Sequence, residues 1–255
     1  MAAVEYETRD NLAIITLNRP EARNAVNGDV AQGMEDALDA YEADPSLWCA
    51  ILTANGKAFC AGADLKEIAA GNGHKLGTKK GGFGGIAKRE RTKPLIAAIA
   101  GSALAGGTEI ALSCDMIVCS TETNFGLPEV KRSLVAGAGG VFRLPRAIGL
   151  APALEVILTG DPLPAERAYQ LGMVNQVVEP DQVMDAAITL ANRVAANAPL
   201  AVQASQKVAT RAFMDDDESL WKASGEAFAS IMNTEDYKEG PRAFIEKRPP
   251  KWQGK

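Results

Sequence analysis

Lys57-Ala58-Phe59-Cys60-Ala61-Gly62-Ala63-Asp64-Leu65, Ala105-Gly106-Gly107-Thr108-Glu109 and Phe125-Gly126-Leu127-Pro128-Glu129 follow one another along the chain. Glu109 stands 46 positions after Ala63, and Glu129 a further 20 on. Neither spacing is a multiple that helix or strand periodicity demands. Small residues let a substrate carbonyl approach backbone N–H groups closely. Two such N–H groups from separate loops, those of Ala63 and Gly106, can make an oxyanion hole. Two carboxyls beyond it, Glu109 and Glu129, can divide the acid and base work.

Each glutamate also has a plain structural reading. Glu109 follows a Gly pair near a helix start, where the dipole favours an acid. The run Ile110-Ala111-Leu112 beside it should desolvate the carboxyl and raise its pKa. Glu129 follows Pro128 and could be an ordinary turn acid. Two ordinary turns explain either small-residue segment alone; the ordered set with both acids points to chemistry.

Outward from these segments, residues 4–8 and 12–17 read as a β-hairpin around Asp10-Asn11. Asn27 can cap a helix with Val30, Met34, Leu38 and Tyr41 on its apolar face. Residues 50–52, 95–100 and 116–119 read as buried strands, and Gly106-Gly107 as the opening of a helix. Between 71 and 85 stand seven glycines (Gly71, Gly73, Gly77, Gly81, Gly82, Gly84 and Gly85), which predicts a mobile loop bordering the site. After Gly149 helical patterns dominate, around 151–158, 165–171, 181–195, 201–213, 218–232 and 236–244, with one strand at 174–178. Periodicity alone gives α/β followed by α.

The chain has 255 residues, 47% hydrophobic and 23% charged, and a net charge of −5, in the range of soluble globular proteins. No basic cluster interleaved with aromatics occurs, which argues against nucleic acid as partner. Lys79-Lys80 and Lys88-Arg89 read as solvated loop pairs. Early charges interrupt any signal-like pattern, and no apolar run is long enough for a membrane span. Cys49, Cys60, Cys114 and Cys119 form no C-x-x-C pair and suit free core thiols. These features predict a cytoplasmic protein. The single histidine, His74, lies in the Gly-rich stretch, which disfavours His-dependent nucleophilic catalysis or a zinc site. Gly137-Ala138-Gly139-Gly140 lacks the third glycine of a dinucleotide loop, because Phe142 stands there.

The quoted segments, with Ile15-Thr16-Leu17-Asn18-Arg19-Pro20, Ala25-Val26-Asn27, Gly137-Ala138-Gly139-Gly140 and Glu239-Gly240-Pro241-Arg242-Ala243-Phe244-Ile245-Glu246-Lys247-Arg248, resemble the crotonase (enoyl-CoA hydratase/isomerase) superfamily in order and spacing, over residues 4–252. The resemblance implies an α/β core of repeated ββα units over residues 1–195 and a C-terminal helical oligomerisation region over 196–255. It implies hydration of a trans-2-enoyl-CoA. Ala63 and Gly106 would hold the thioester oxygen, Glu109 would be base on water, and Glu129 would give a proton to C2. Arg23, Ala61, Gly62, Asp64, Leu65 and Lys66 would line the coenzyme A groove, Gly137 would sit beside the second glutamate, and Lys247 would reach the phosphates. No metal or separate cofactor is implied, since coenzyme A is part of the substrate. A homotrimer or homohexamer is implied as well.

Two departures from the family pattern bear on substrate preference. Ala105 replaces a common third glycine, and Ser133-Leu134-Val135-Ala136 replaces the usual Gly-x-x-Pro. Phe142-Arg143-Leu144-Pro145 and Pro249-Pro250-Lys251-Trp252 look like the carnitinyl-CoA dehydratase branch, which is one alternative. A Δ3,Δ2-enoyl-CoA isomerase, which usually keeps only the second glutamate, is another. A non-catalytic scaffold or RNA-binding relative is disfavoured by the glutamate pair and the acidic charge.

Overall fold

The computed structural model describes residues 2–255. It opens with a hairpin in which β1 (Val4–Arg9) pairs antiparallel with β2 (Leu12–Leu17). The Asn27 side chain accepts the Val30 amide and starts α1 (Gly28–Ala43), whose buried face carries Val30, Met34, Leu38 and Tyr41. Next come β3 (Cys49–Ala54), β4 (Ala58–Cys60) and α2 (Leu65–Ala69). A 3-10 turn, Gly73–Leu76, leads to the short pair β5 (Gly77–Thr78) and β6 (Gly82–Phe83). The pattern then recurs as β7 (Leu95–Ile99), β8 (Ser102–Leu104) and α3 (Gly106–Ala111). It recurs again as β9 (Met116–Ser120), β10 (Asn124–Gly126), a 3-10 turn at Pro128–Arg132, and α4 (Gly140–Ile148). The chain finishes with α5 (Leu150–Thr159), β11 (Leu163–Pro164), α6 (Ala165–Gln170), β12 (Gln176–Val178), α7 (Val183–Ala195), α8 (Pro199–Ala209), α9 (Asp217–Ile231) and α10 (Glu235–Ile245).

Each repeat sends its first strand to a six-stranded sheet and its second to a four-stranded one. The strand orders are β1-β2-β3-β7-β9-β12 and β11-β10-β8-β4. From β2 onward the large sheet is parallel. Its strands are buried on both faces, so they read as continuous apolar runs. The period of two still sorts their side chains. Ala50, Leu52, Leu95, Ala97 and Ile99 face the main core, which also holds Val30, Leu38, Phe59, Phe125 and Leu144. Cys49, Ile51, Ile96 and Ala98 face the other way and are covered by Val183, Ala187, Leu190 and Ala191 of α7.

Three expectations need correction. The Gly-rich stretch is not a loose loop over 77–85. A Cβ on Gly81 would lie 2.0 Å from the Gly85 carbonyl oxygen, and one on Gly85 would lie 2.2 Å from that of Ala31 in α1. The Gly81 amide donates to Glu35 at 2.9 Å. These glycines serve close backbone approach, a use that composition does not distinguish from flexibility. Nor is Arg89 a solvated loop cation, because its side chain is 2% exposed and paired with Asp39. The short strands β4, β8, β10 and β11, two or three residues each, carry no periodic signal and were absent from the sequence reading.

Beyond α7 the character of the surface changes. Helix α8 buries only Pro199 and α9 only Ala223, and the two pack on each other. Phe213, Trp221, Phe228, Met232, Phe244 and Ile245 are exposed there, whereas Leu220 and Ile231 are half-buried. Among the described residues no helix is long and apolar enough to cross a membrane.

Candidate active site

The Ala61-Gly62-Ala63 segment and the start of α3 meet at the carboxyl ends of β4 and β8, which pair in parallel. Val26 lies alongside Ala63: the Val26 amide donates to the Gly62 carbonyl at 2.8 Å, and the Asp64 amide donates to the Val26 carbonyl at 2.9 Å. In such a bridge the peptide groups on either side of Ala63 are used, and the Ala63 N–H points the opposite way, from Val26 towards the cleft. Gly106 is the first helical residue of α3, so its amide has no acceptor inside the helix and sits at the positive end of the dipole. Gly62 has a φ of +93°, and a Cβ on it would fall 3.0 Å from the Gly106 nitrogen. The two amide-bearing loops are therefore in direct apposition. The Phe83 ring closes over Gly106, leaving no room for a side chain there.

Ala105 precedes this amide with φ 51° and ψ −125°, a conformation that glycine adopts freely and alanine does not. The residue that replaces the family's third glycine thus retains the glycine-like backbone. Thr108, fully buried, ties this region to the next. Its hydroxyl donates to the Ala103 and Gly126 carbonyls at 2.6 and 2.9 Å as geometry permits, and accepts the Gly126 amide at 2.9 Å. Gly126 ends β10, and two residues later begins the 3-10 turn that carries Glu129.

Glu109 is 3% exposed. Its carboxyl accepts the Gly140 amide at 2.9 Å. Burial pushes its pKa up; the Gly140 amide opposes that, the neighbouring Glu129 adds to it, and Ala138 and Arg143 oppose it. Glu129 is half-buried, and its Oε2 atom is buried without a hydrogen-bond partner. Burial raises its pKa as well. Both carboxyls line one cleft of about 1390 Å³ together with Ala63 and Gly106. A buried carboxyl with amide donors favours its anion, whereas one without donors favours its protonated form. The arrangement can hold a base and an acid side by side next to two convergent amides.

The same cleft is lined by Arg23, Ala61, Asp64, Leu65, Lys66 and Gly137. Gly62 is buried behind it. The Asp64 carboxylate faces the protein, where it caps α2 through the Lys66 amide at 3.0 Å and pairs with Arg19 at 3.2 Å. Lys247 is not among the lining residues. It follows α10 on the surface, so a single chain does not bring it to this cleft. His74 lies in the Gly73–Leu76 turn and is exposed at the cleft's edge. Leu134 and Val135, from the segment that departs from Gly-x-x-Pro, line the cleft. Cys60, Cys114, Cys49 and Cys119 are free, and burial pushes each thiol up to about 12. Sequence reasoning missed Phe83, Thr108 and the buried contacts of Arg143. Only the glycines opposite Phe83 and Arg143 hinted at them.

Residues 7–255 match the family model described as enoyl-CoA hydratase/isomerase. A short-chain-enoyl-CoA hydratase of Clostridium acetobutylicum is 39% identical over 96% of this chain and 95% of its own. A carnitinyl-CoA dehydratase of Proteus mirabilis is 39% identical over 99% of both. The crystal structure of an enoyl-CoA hydratase from Mycobacterium tuberculosis superposes with a TM-score of 0.96 at 47% identity, covering 100% of each chain. The chain belongs to the enoyl-CoA hydratase/isomerase family.

Proposed function

We propose that this family member is an enoyl-CoA hydratase, adding water reversibly to a trans-2-enoyl-CoA to give a 3-hydroxyacyl-CoA, a step of fatty-acid metabolism. The observation that carries the reading is the pair Glu109 and Glu129, two carboxyls with unlike hydrogen bonding facing one cleft beside the Ala63 and Gly106 amides. The two amides take the thioester oxygen and stabilise the charge that builds there as C3 is attacked. Glu109, supplied with amide donors, is the base that takes a proton from water. Glu129, without them, is the acid that protonates C2. Dehydration uses the same groups in reverse. The chemistry draws on protein groups and the thioester alone, with coenzyme A arriving as part of the substrate.

Arg23 and Lys66, with the backbone of 61–65, are placed to meet the coenzyme A moiety. A contribution from Lys247 requires a second subunit, and the exposed apolar side chains of α9 and α10 support assembly into a trimer or hexamer. Sedimentation at micromolar concentration tests this; a lone 26.8 kDa species defeats it.

A carnitinyl-CoA dehydratase is the second reading, favoured by the likeness to the Proteus enzyme. The carboxylates lining the cleft are Glu21, Asp64, Glu109 and Glu129. Asp64 is held by Arg19, and the last two are assigned to proton transfer. A trimethylammonium group finds little to pair with among the rest, so a plain acyl chain comes first. Initial rates on crotonyl-CoA, longer 2-enoyl-CoAs, a 3-enoyl-CoA and carnitinyl-CoA test the order. Preference for carnitinyl-CoA, or isomerisation without hydration, rejects the first reading.

A further inference from the structure

Arg143 lies one turn into α4, half-buried, and its guanidinium bonds three separate parts of the chain. Nη1 donates to the Ala138 carbonyl at 3.2 Å and to the Ser113 hydroxyl at 3.1 Å, and Nη2 donates to the Ala87 carbonyl at 2.7 Å. The Ser113 hydroxyl in turn donates to the backbone carbonyl of Glu109 at 2.7 Å. Ala138 and Gly140 flank Gly139, at φ +110°, where a Cβ would sit 2.5 Å from Arg143 Nη1. The turn that offers its amide to Glu109 is thus clamped from behind by one side chain, and its central glycine is needed to let that side chain in. Ala138 lines the cleft on the opposite side.

We infer that Arg143 is a positioning residue for Glu109: its guanidinium pins the 138–140 turn onto the Glu109 carboxyl through Ala138, and steadies the Glu109 backbone through Ser113. This rests on Glu109 being the base. A fixed planar fork suits three acceptors in different directions, which a lysine cannot serve together. The positive charge also favours the ionised carboxyl. Other charged and titratable groups face this pair: Glu129 from the 3-10 turn, Arg91 (paired with Asp115 at 3.1 Å) before β7, Lys88 at the cleft edge, Cys60 under α3, Cys114 after it, and Arg146 further along α4. Arg91 and Arg146 carry the same sign as Arg143 but have no hydrogen bond to the turn.

The test is the pH dependence of kcat in Arg143→Met and Arg143→Lys, with an infrared titration of the Glu109 carboxyl, read as wild type minus Glu109→Gln. A base must be ionised, so activity falls as pH drops through its pKa; loss of the arginine raises that pKa and moves this acid limb upward. Arg143→Met should shift both the limb and the carboxyl titration to higher pH and lower kcat at neutral pH about tenfold or more, the scale of one pKa unit, with KM within about twofold, the mark of an interaction made only in the transition state. Arg143→Lys should restore most of the limb but not all of kcat. Should the methionine variant fail to fold, Arg143→Gln carries the same expectation. A folded variant whose Glu109 carboxyl titrates where the wild type does, or one that raises KM and leaves kcat intact, overturns the inference. Full activity in Glu109→Gln would instead remove the base assignment, and the infrared titration still judges Arg143 separately.

Discussion

Glu109 and Glu129 look into one cleft from two unlike walls. Glu109 rises from the first turn of α3, almost fully buried, with the Gly140 amide on its carboxyl. Glu129 sits on a short 3-10 turn, half-buried, with one oxygen enclosed and unpartnered. Burial raises both pKa values. The difference between them lies in the donors, and it teaches that desolvation alone does not assign an acid and a base. What assigns them is which carboxyl the backbone is shaped to meet.

The largest effect should come from removing the shared oxyanion site that both walls serve. Gly106→Pro deletes an amide and should lower hydration by at least about 10³-fold, near the upper range for one oxyanion donor. Ala63→Ser keeps its amide and should stay within about tenfold of wild type. Equal damage from both in steady-state assays would shift the explanation to packing.

Separating the walls mechanically should cost stability next. Thr108→Val leaves the Ala103 and Gly126 carbonyls and the Gly126 amide without their hydroxyl partner. Unfolding in denaturant should show a loss of about 1–3 kcal/mol, the range for unsatisfied buried polar groups. A neutral result would mean that the two walls are held together elsewhere.

The sign of the pKa shifts gives a smaller, pH-dependent effect. A carboxyl whose folded pKa is raised binds more protons folded than unfolded, so stability declines as pH rises above the unfolded value and through the folded one. Glu109→Gln and Glu129→Gln should therefore unfold at higher temperature than wild type near neutral pH. The gain should vanish in acid, below the unfolded carboxyl value. A gain that grew in acid would reverse the assignment.

The smallest effect concerns Ala105. Its φ of 51° with ψ −125° strains an alanine, so Ala105→Gly should add about 1 kcal/mol, the low end for such backbone strain. A loss of stability would show that its methyl contact matters more than the strain.

Much of this molecule was legible along the chain. The hairpin, the Asn27 cap and the buried strands follow from alternation, apolar runs and capping chemistry. The position of the site was legible because small residues and acids stand in a fixed order. What escaped was long-range. Gly81 and Gly85 are small because Glu35 and Ala31 of α1 press against them, which no local window reveals. The two- and three-residue strands of the second sheet are too short for periodicity. Arg89 looked solvated because its partner, Asp39, lies 50 residues away. Asp64 was expected to meet the substrate with its carboxylate, yet Arg19 and the α2 amide hold it.

The division of work between the two glutamates is tested most directly by the loss of enoyl-thioester absorbance with crotonyl-CoA, measured side by side for wild type, Glu109→Gln and Glu129→Gln. Expected are turnover by the wild type and losses of roughly 10²–10⁴-fold in each variant, the usual worth of a positioned acid or base, with both variants folded. Near-normal hydration in either variant, or none in the wild type, would contradict it.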